Sequence, residues 1–151
     1  VIVWRFSQHE SLDGRGGLLA SARWHTRGKE ILYCAPNPAT AVLEILVHSR
    51  VREPAALARH RFIKVDIPDE VSRESVDETL LPPDWSRRVG VTRAWGDRWL
   101  REVASALLIV RSVLVPETHN VLINPRHAEA ARIRRVAVMP YPLDRRLIRG
   151  G

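Results

Sequence analysis

Between Ser112 and His127 the chain reads Ser-Val-Leu-Val-Pro-Glu-Thr-His-Asn-Val-Leu-Ile-Asn-Pro-Arg-His, and few architectures accommodate such a segment. An apolar strand arrives at Ser112 and Pro116 turns it. Asn120 and Asn124 then bracket a second apolar run, Val121 to Ile123, which Pro125 stops. Proline removes a backbone donor and cannot continue a ladder, so the order is strand, turn, strand. Polar side chains are thereby held at the ends of buried strands, which is how a rigid scaffold presents a site. The first third of the chain supplies suitable partners in Arg23, Tyr33 and Glu44.

Around that segment the pattern predicts an α+β fold in one domain spanning residues 1–151, with a curved, mixed β-sheet flanked by helices. Val1 to Phe6 reads as a strand, and Ser7 to Gly17 as a Gly-rich loop. Ile31 to Ala35 is a short buried strand closed by Pro36-Asn37-Pro38. Asn37 can cap a helix with Pro38 at its first position, running from Ala39 to about Arg50. Arg61 to Ile67 alternates as a strand. Residues 69–91 read as a long loop around Pro82-Pro83. Arg93 to Ala106 is helical by the spacing of Trp95, Trp99 and Val103, with Leu107 next in the same series. Strands follow at Leu107 to Arg111, Val121 to Asn124 and Arg135 to Met139.

At 45% hydrophobic residues the chain can bury a core without covalent staples. Its one cysteine, Cys34, allows no internal disulfide and no cysteine-based zinc site. No apolar run approaches the ~20 residues that span a bilayer, and the opening lacks a basic leader, so the expected location is the cytoplasm. The net charge of +7 suggests an anionic partner, but of 24 basic residues only Lys29 and Lys64 are lysine. The arginines are dispersed, as a codon bias would leave them. Direct nucleic-acid binding is therefore not expected as the main role, and an anionic small molecule or acidic protein satisfies the same electrostatics.

Each candidate residue has a structural alternative. Arg23 and Tyr33 could be a surface arginine and a core aromatic. Together at one cleft they suit a dinucleotide, since guanidinium grips phosphate through parallel hydrogen bonds and the ring stacks on a heterocycle. Glu44 sits in an otherwise apolar helix, where a carboxylate needs a partner. It is either in an ion pair with an arginine or at work on a ribose, orienting a hydroxyl or stabilising an oxocarbenium ion. Ser112 lacks the Gly-x-Ser-x-Gly elbow of a hydrolase nucleophile. It reads as a donor to substrate or to backbone. Asn120 and Asn124 could simply cap turns. The histidines show no ligand spacing, so no metal site is expected, and the glycines near Gly14 lack a phosphate-loop ending.

Taken in order, these blocks resemble the RES-domain family, the toxins of bacterial RES–Xre toxin–antitoxin pairs. The resemblance runs through Trp4-Arg5-Phe6, Gly17, Arg23-Trp24-His25, Gly28, Ile31 to Ala35, Pro38 to His48, Ser112 to Glu117 and Asn120 to His127. The family's arginine, glutamate and serine fall at Arg23, Glu44 and Ser112. His25 stands where asparagine is expected. The resemblance implies an ADP-ribosyltransferase-like fold and cleavage of the nicotinamide–ribose bond of NAD, by hydrolysis or phosphorolysis, with growth arrest as the result. It implies NAD as substrate, phosphate as a co-substrate in some members, and no cofactor. It also implies an Xre-type antitoxin with a DNA-binding domain, with a homodimer of the toxin as one arrangement within that complex. Under it, Arg23 anchors the pyrophosphate, Tyr33 stacks on nicotinamide or fixes its ribose, Glu44 stabilises the cation, and Ser112 and Asn120 hydrogen-bond substrate. Rival readings are ADP-ribosyl transfer to a macromolecule, a basic nucleic-acid-binding protein, and a non-enzymatic subunit.

Overall fold

The computed structural model describes residues 1–48, 53–142 and 144–148. The elements run β1 (Ile2–Ser7), α1 (Gly16–Leu19), β2 (Leu32–Cys34), α2 (Pro38–His48), α3 (Pro54–Leu57), β3 (Arg61–Asp66), β4 (Arg73–Ser75), α4 (Val89–Glu102), β5 (Leu107–Arg111), β6 (His119–Ile123) and β7 (Arg134–Pro140). The class is α+β.

The sheet is divided in two. One part has strand order β1-β3-β7 and the other β2-β6-β5-β4, in which β4 and β5 are parallel and the rest antiparallel. Among the described residues a single bridge joins them: Trp4 and Ala35 exchange both backbone hydrogen bonds at 2.8 Å. Pro36 follows at once and has no N–H to extend that pairing in one direction. In the other direction the two strands diverge.

Side-chain alternation sorts the cores into layers. Val3, Ile63 and Val65 of the first sheet meet Leu32, Cys34, Leu107 and Ile123 of the second. The opposite face of the first sheet, with Phe6 and Phe62, is covered by α2 through Ala41 and Val42. The outer face of the second, with Leu108, Val110 and Leu122, is covered by Trp24, Trp99 and Leu100. The order is thus α2, sheet, sheet, α4.

Helix α2 starts where its sequence predicts: Asn37 Oδ1 accepts from the Thr40 N–H at 2.9 Å. The proposed end near Arg50 lies outside the described residues. Helix α4 spans 89–102 rather than 93–106. It stops because Val103 adopts φ +50°, a left-handed conformation that β-branched residues rarely enter, and its N–H bonds back to Trp99 O. Ser105 then takes the Trp99 indole N–H at 2.9 Å, so the indole spacing that suggested more helix serves the cap instead. The region 69–91 is more ordered than a loop. It contains β4, two short 3₁₀ turns and the start of α4.

Candidate active site

Glu44 is placed by α2, Asn120 by β6, and Ser112 by the turn that follows β5. The three meet. Ser112 Oγ donates to Glu44 Oε1 at 2.9 Å, and Asn120 Nδ2 donates to the same oxygen at 2.7 Å. The second oxygen, Oε2, lies 3.1 Å from His48 Nε2. Burial pushes the Glu44 carboxyl up, but the hydrogen bonds from His48, Asn120 and Ser112 outweigh it and hold the group below its ordinary value. Among the described residues no arginine pairs with Glu44, so the ion-pair alternative is not what the helix holds.

Ser112 is buried and committed. While donating to Glu44, its oxygen accepts from the N–H groups of Leu114 and Val115 at 3.2 and 3.1 Å. It positions the carboxylate and ties it to the turn, and its hydroxyl is not poised as a nucleophile. Asn124 behaves as the turn cap expected of it, accepting from Arg126 N–H at 3.1 Å. Asn120 does not: its amide nitrogen is on Glu44, and its buried Oδ1 has no partner.

Tyr33 shares a cleft with Glu44 and Asn120, lined also by Trp4, Arg5 and Ala41, with room of about 80 Å³. Its hydroxyl points elsewhere, accepting from Trp24 N–H at 3.2 Å and lying 2.9 Å from His25 Nδ1. His25 Nε2 is 2.9 Å from the Ala20 carbonyl, which can only accept. The proton is therefore on Nε2, Nδ1 accepts, and the phenol donates to it. Burial keeps the tyrosine protonated and His25 neutral. The imidazole thus serves the turn where asparagine was expected, and the Tyr33 hydroxyl is occupied within the protein.

Arg23 is not in the lining of that cleft. Its guanidinium donates to Ser86 O at 2.9 Å, and its buried Nε has no partner. Burial lowers its pKa, the Glu44 charge nearby opposes that, and Arg93 adds repulsion. Of the three buried side-chain polar atoms without partners among the described residues, Arg23 Nε and Asn120 Oδ1 belong to the candidate site; the third is the Tyr141 hydroxyl.

The Arg23 turn is fixed by α4. Thr92 Oγ1 donates to Arg23 O at 2.6 Å, and Arg93 Nε donates to Ala22 O at 2.8 Å. Asp97 takes both donors of Thr26. Gly96 allows the approach, because a Cβ there would lie 1.8 Å from Trp24 O.

Two contributors were not singled out from the sequence. His48 was legible, since residues four apart share a helix face. Arg5 lines the cleft, and among the described residues it has no carboxylate partner within ion-pair distance; its one hydrogen bond goes to Ser11 O at 2.9 Å. Nothing local in the sequence marks it. The cleft opens where the two sheets part. Alternation after the Trp4–Ala35 bridge points the backbone N–H and C=O of Phe6 and of Tyr33 into that opening.

The two-sheet α+β fold recurs in a solved structure. A chain in the crystal structure of the M. tuberculosis MbcT–MbcA toxin–antitoxin complex matches over 93% of this chain and 83% of its own, with TM-score 0.65 and 13% identity. The RES domain family matches residues 2–144, so the chain belongs to the RES-domain family. "Toxin Res" of Pseudomonas putida is 37% identical, covering 97% of this chain and 99% of its own length. The "Prs ADP-ribosylating toxin" of a Sphingobium species is 35% identical over 96% of this chain and 91% of its own. No helix among the described residues is long and apolar enough to cross a membrane.

Proposed function

We propose that this chain is a single RES domain acting as the toxin of a toxin–antitoxin pair, and that it degrades NAD by cleaving the bond between nicotinamide and ribose. The observation that carries the reading is the Glu44 carboxylate, kept charged by three side-chain contacts and set in a cleft that Arg5 also lines, with the Arg23 charge nearby. An anionic pyrophosphate suits Arg23, whose Nε lacks a partner. The nicotinamide ring suits the Tyr33 face. Its carboxamide, one donor and one acceptor on a plane, suits the open backbone groups of Phe6 and Tyr33.

Cleavage sends the electron pair of the C1′–N bond onto the pyridinium nitrogen, so nicotinamide leaves neutral and no strong general acid is needed. The positive charge moves to the ribose, where a fixed carboxylate stabilises it. A substrate hydroxyl suits Asn120 Oδ1, which has no protein partner among the described residues. Water then adds at C1′ and releases a proton to give ADP-ribose; phosphate instead gives the 1-phosphoryl ester. The chemistry requires no metal or added cofactor, and a chelator is expected to leave the rate unchanged.

A second reading is favoured by the Sphingobium relative named an ADP-ribosylating toxin. The same first bond breaks, and a macromolecular nucleophile takes the place of water. In either case the chain acts in the cytoplasm, and a free NAD-consuming enzyme would poison its own cell. We therefore assign it an inhibitory partner, an Xre-type antitoxin with its own DNA-binding domain, that occludes the cleft. Incubation with NAD, with and without phosphate, followed by product identification tests the proposal. Release of nicotinamide with ADP-ribose or its phosphate supports it, and a modified protein with no free ADP-ribose selects the second reading.

A further inference from the structure

We infer that His48 is a positioning residue for the reaction: one turn along α2 from Glu44, its imidazole fixes the carboxylate oxygen that Ser112 and Asn120 leave open. The inference rests on the NAD reading above and concerns how the carboxylate is aimed.

The geometry divides the two oxygens of Glu44 between different duties. Oε1 takes two donors, from Ser112 at 2.9 Å and Asn120 at 2.7 Å, and faces the protein. Oε2 has a single neighbour, His48 Nε2 at 3.1 Å. A carboxylate oxygen has two lone-pair directions, so Oε2 keeps one for a ribose hydroxyl or for the developing cation. Pinned at Oε1 alone, the carboxylate could still swing about that oxygen. The third contact stops the swing before substrate arrives, which is the condition for a charge to stabilise a transition state without reorganising. The His48 side chain is 45% exposed against 21% for Glu44, so the contact lies on the solvent side of the carboxylate.

A helix-surface pair four residues apart adds little to the stability of a helix. A purely structural His48 would leave the rate alone. Two observations say more. Its partner is the site carboxylate rather than a surface acid, and its 3.1 Å contact is one of those that hold the Glu44 carboxyl below its ordinary value. The other charged or titratable groups around the carboxylate are Arg23 on the turn packed under α4, Arg5 on β1 and Tyr33 on β2. None of them is hydrogen-bonded to it, so His48 is the titratable side chain in contact with Glu44 among the described residues.

The test uses the full chain and three proteins: wild type, His48→Ala and His48→Gln. With nicotinamide release as the assay, His48→Ala is expected to lower kcat on the order of 10–100-fold, the usual loss when an orienting partner is removed. KM should stay within about threefold, because the contact aims charge rather than binding the ground state. The acid limb of the kcat profile should move to higher pH. His48→Gln, which keeps an N–H donor, should recover part of kcat; a His48 variant that also lacks the donor, such as His48→Leu, replaces Ala should that variant not fold. Wild-type kcat with an unmoved acid limb in His48→Ala, or in a His48 variant lacking the donor, overturns the inference. A second readout needs no substrate. The Glu44 carboxyl carbon, titrated by NMR, should show a higher midpoint in His48→Ala. An unmoved midpoint overturns the inference even in an active enzyme. A raised midpoint in a chain that leaves NAD intact upholds the contact and overturns the NAD reading instead.

Discussion

Ser112→Ala separates a serine that holds a carboxylate from one that attacks substrate. The variant removes one donor from the charged Glu44 oxygen and one acceptor from two N–H groups, those of Leu114 and Val115. A hydrogen bond to a charged group contributes ~1.5–3 kcal/mol, and a buried group left unsatisfied costs ~1–3 kcal/mol. The two N–H contacts are long, at 3.2 and 3.1 Å, so the low end applies to them. The expected destabilisation is about 3 kcal/mol, which at ~2–4 °C per kcal/mol for a chain of this size lowers Tm by roughly 6–12 °C. Glu44 keeps Asn120 and His48, so kcat should fall on the order of 10–100-fold rather than vanish. Thermal unfolding followed by circular dichroism and initial-rate nicotinamide release measure the two effects. A variant as stable as wild type with activity abolished would refute the positioning role and restore a nucleophile.

The remaining expectations follow from the same contacts. Glu44→Gln should abolish turnover far more than it weakens NAD binding, because its charge matters when the ribose becomes cationic, whereas Arg23→Ala should raise KM as well; steady-state kinetics with a direct binding titration distinguish them. Gly96→Ala should destabilise by about 2–4 kcal/mol or fail to fold, since the new Cβ meets Trp24 O at 1.8 Å; a urea midpoint equal to wild type would contradict the close helix approach. Burial lowers the pKa of His25 from an ordinary value near 6.5, so the unfolded chain takes up the proton first. Its contribution is full above the unfolded value and is lost as pH falls through about 6.5 and below; His25→Asn should flatten that decline, leaving the part due to His60, which shifts the same way. Urea midpoints at pH 7.5 and 5.5 check it, and an equal decline in both proteins would count against a neutral His25.

Local signals carried much of the fold. Alternation marked β3, short apolar runs marked β1, β5 and β7, and the Asn37-Pro38 pair marked the start of α2. The division of the sheet was not legible, because it depends on Pro36 ending one pairing and on β1 and β2 diverging beyond it, a relation between distant strands. Strand β4 was missed for a related reason. Arg73, Glu74 and Ser75 are all exposed and show no alternation; they are a strand only because β5 lies parallel beside them. Helix α4 ended early because Val103 turns left-handed, which side-chain spacing does not reveal. At the site, residue type indicated chemistry but not the division of labour. That Glu44 needed a partner was clear from its apolar helix. That the partners would be Ser112 and Asn120, 68 and 76 residues away, required the fold. The Tyr33 hydroxyl, which the family resemblance allowed to fix a ribose, proved tied to His25.

The central claim is that the held carboxylate exists to break the nicotinamide–ribose bond. The most direct measurement is the fate of NAD mixed with the purified chain and with its Glu44→Gln variant, with and without phosphate and without added metal. The account predicts stoichiometric free nicotinamide from the wild type, with ADP-ribose or its phosphate as the other product, and neither from the variant. Intact NAD with wild-type protein that is folded and free of its partner would contradict it.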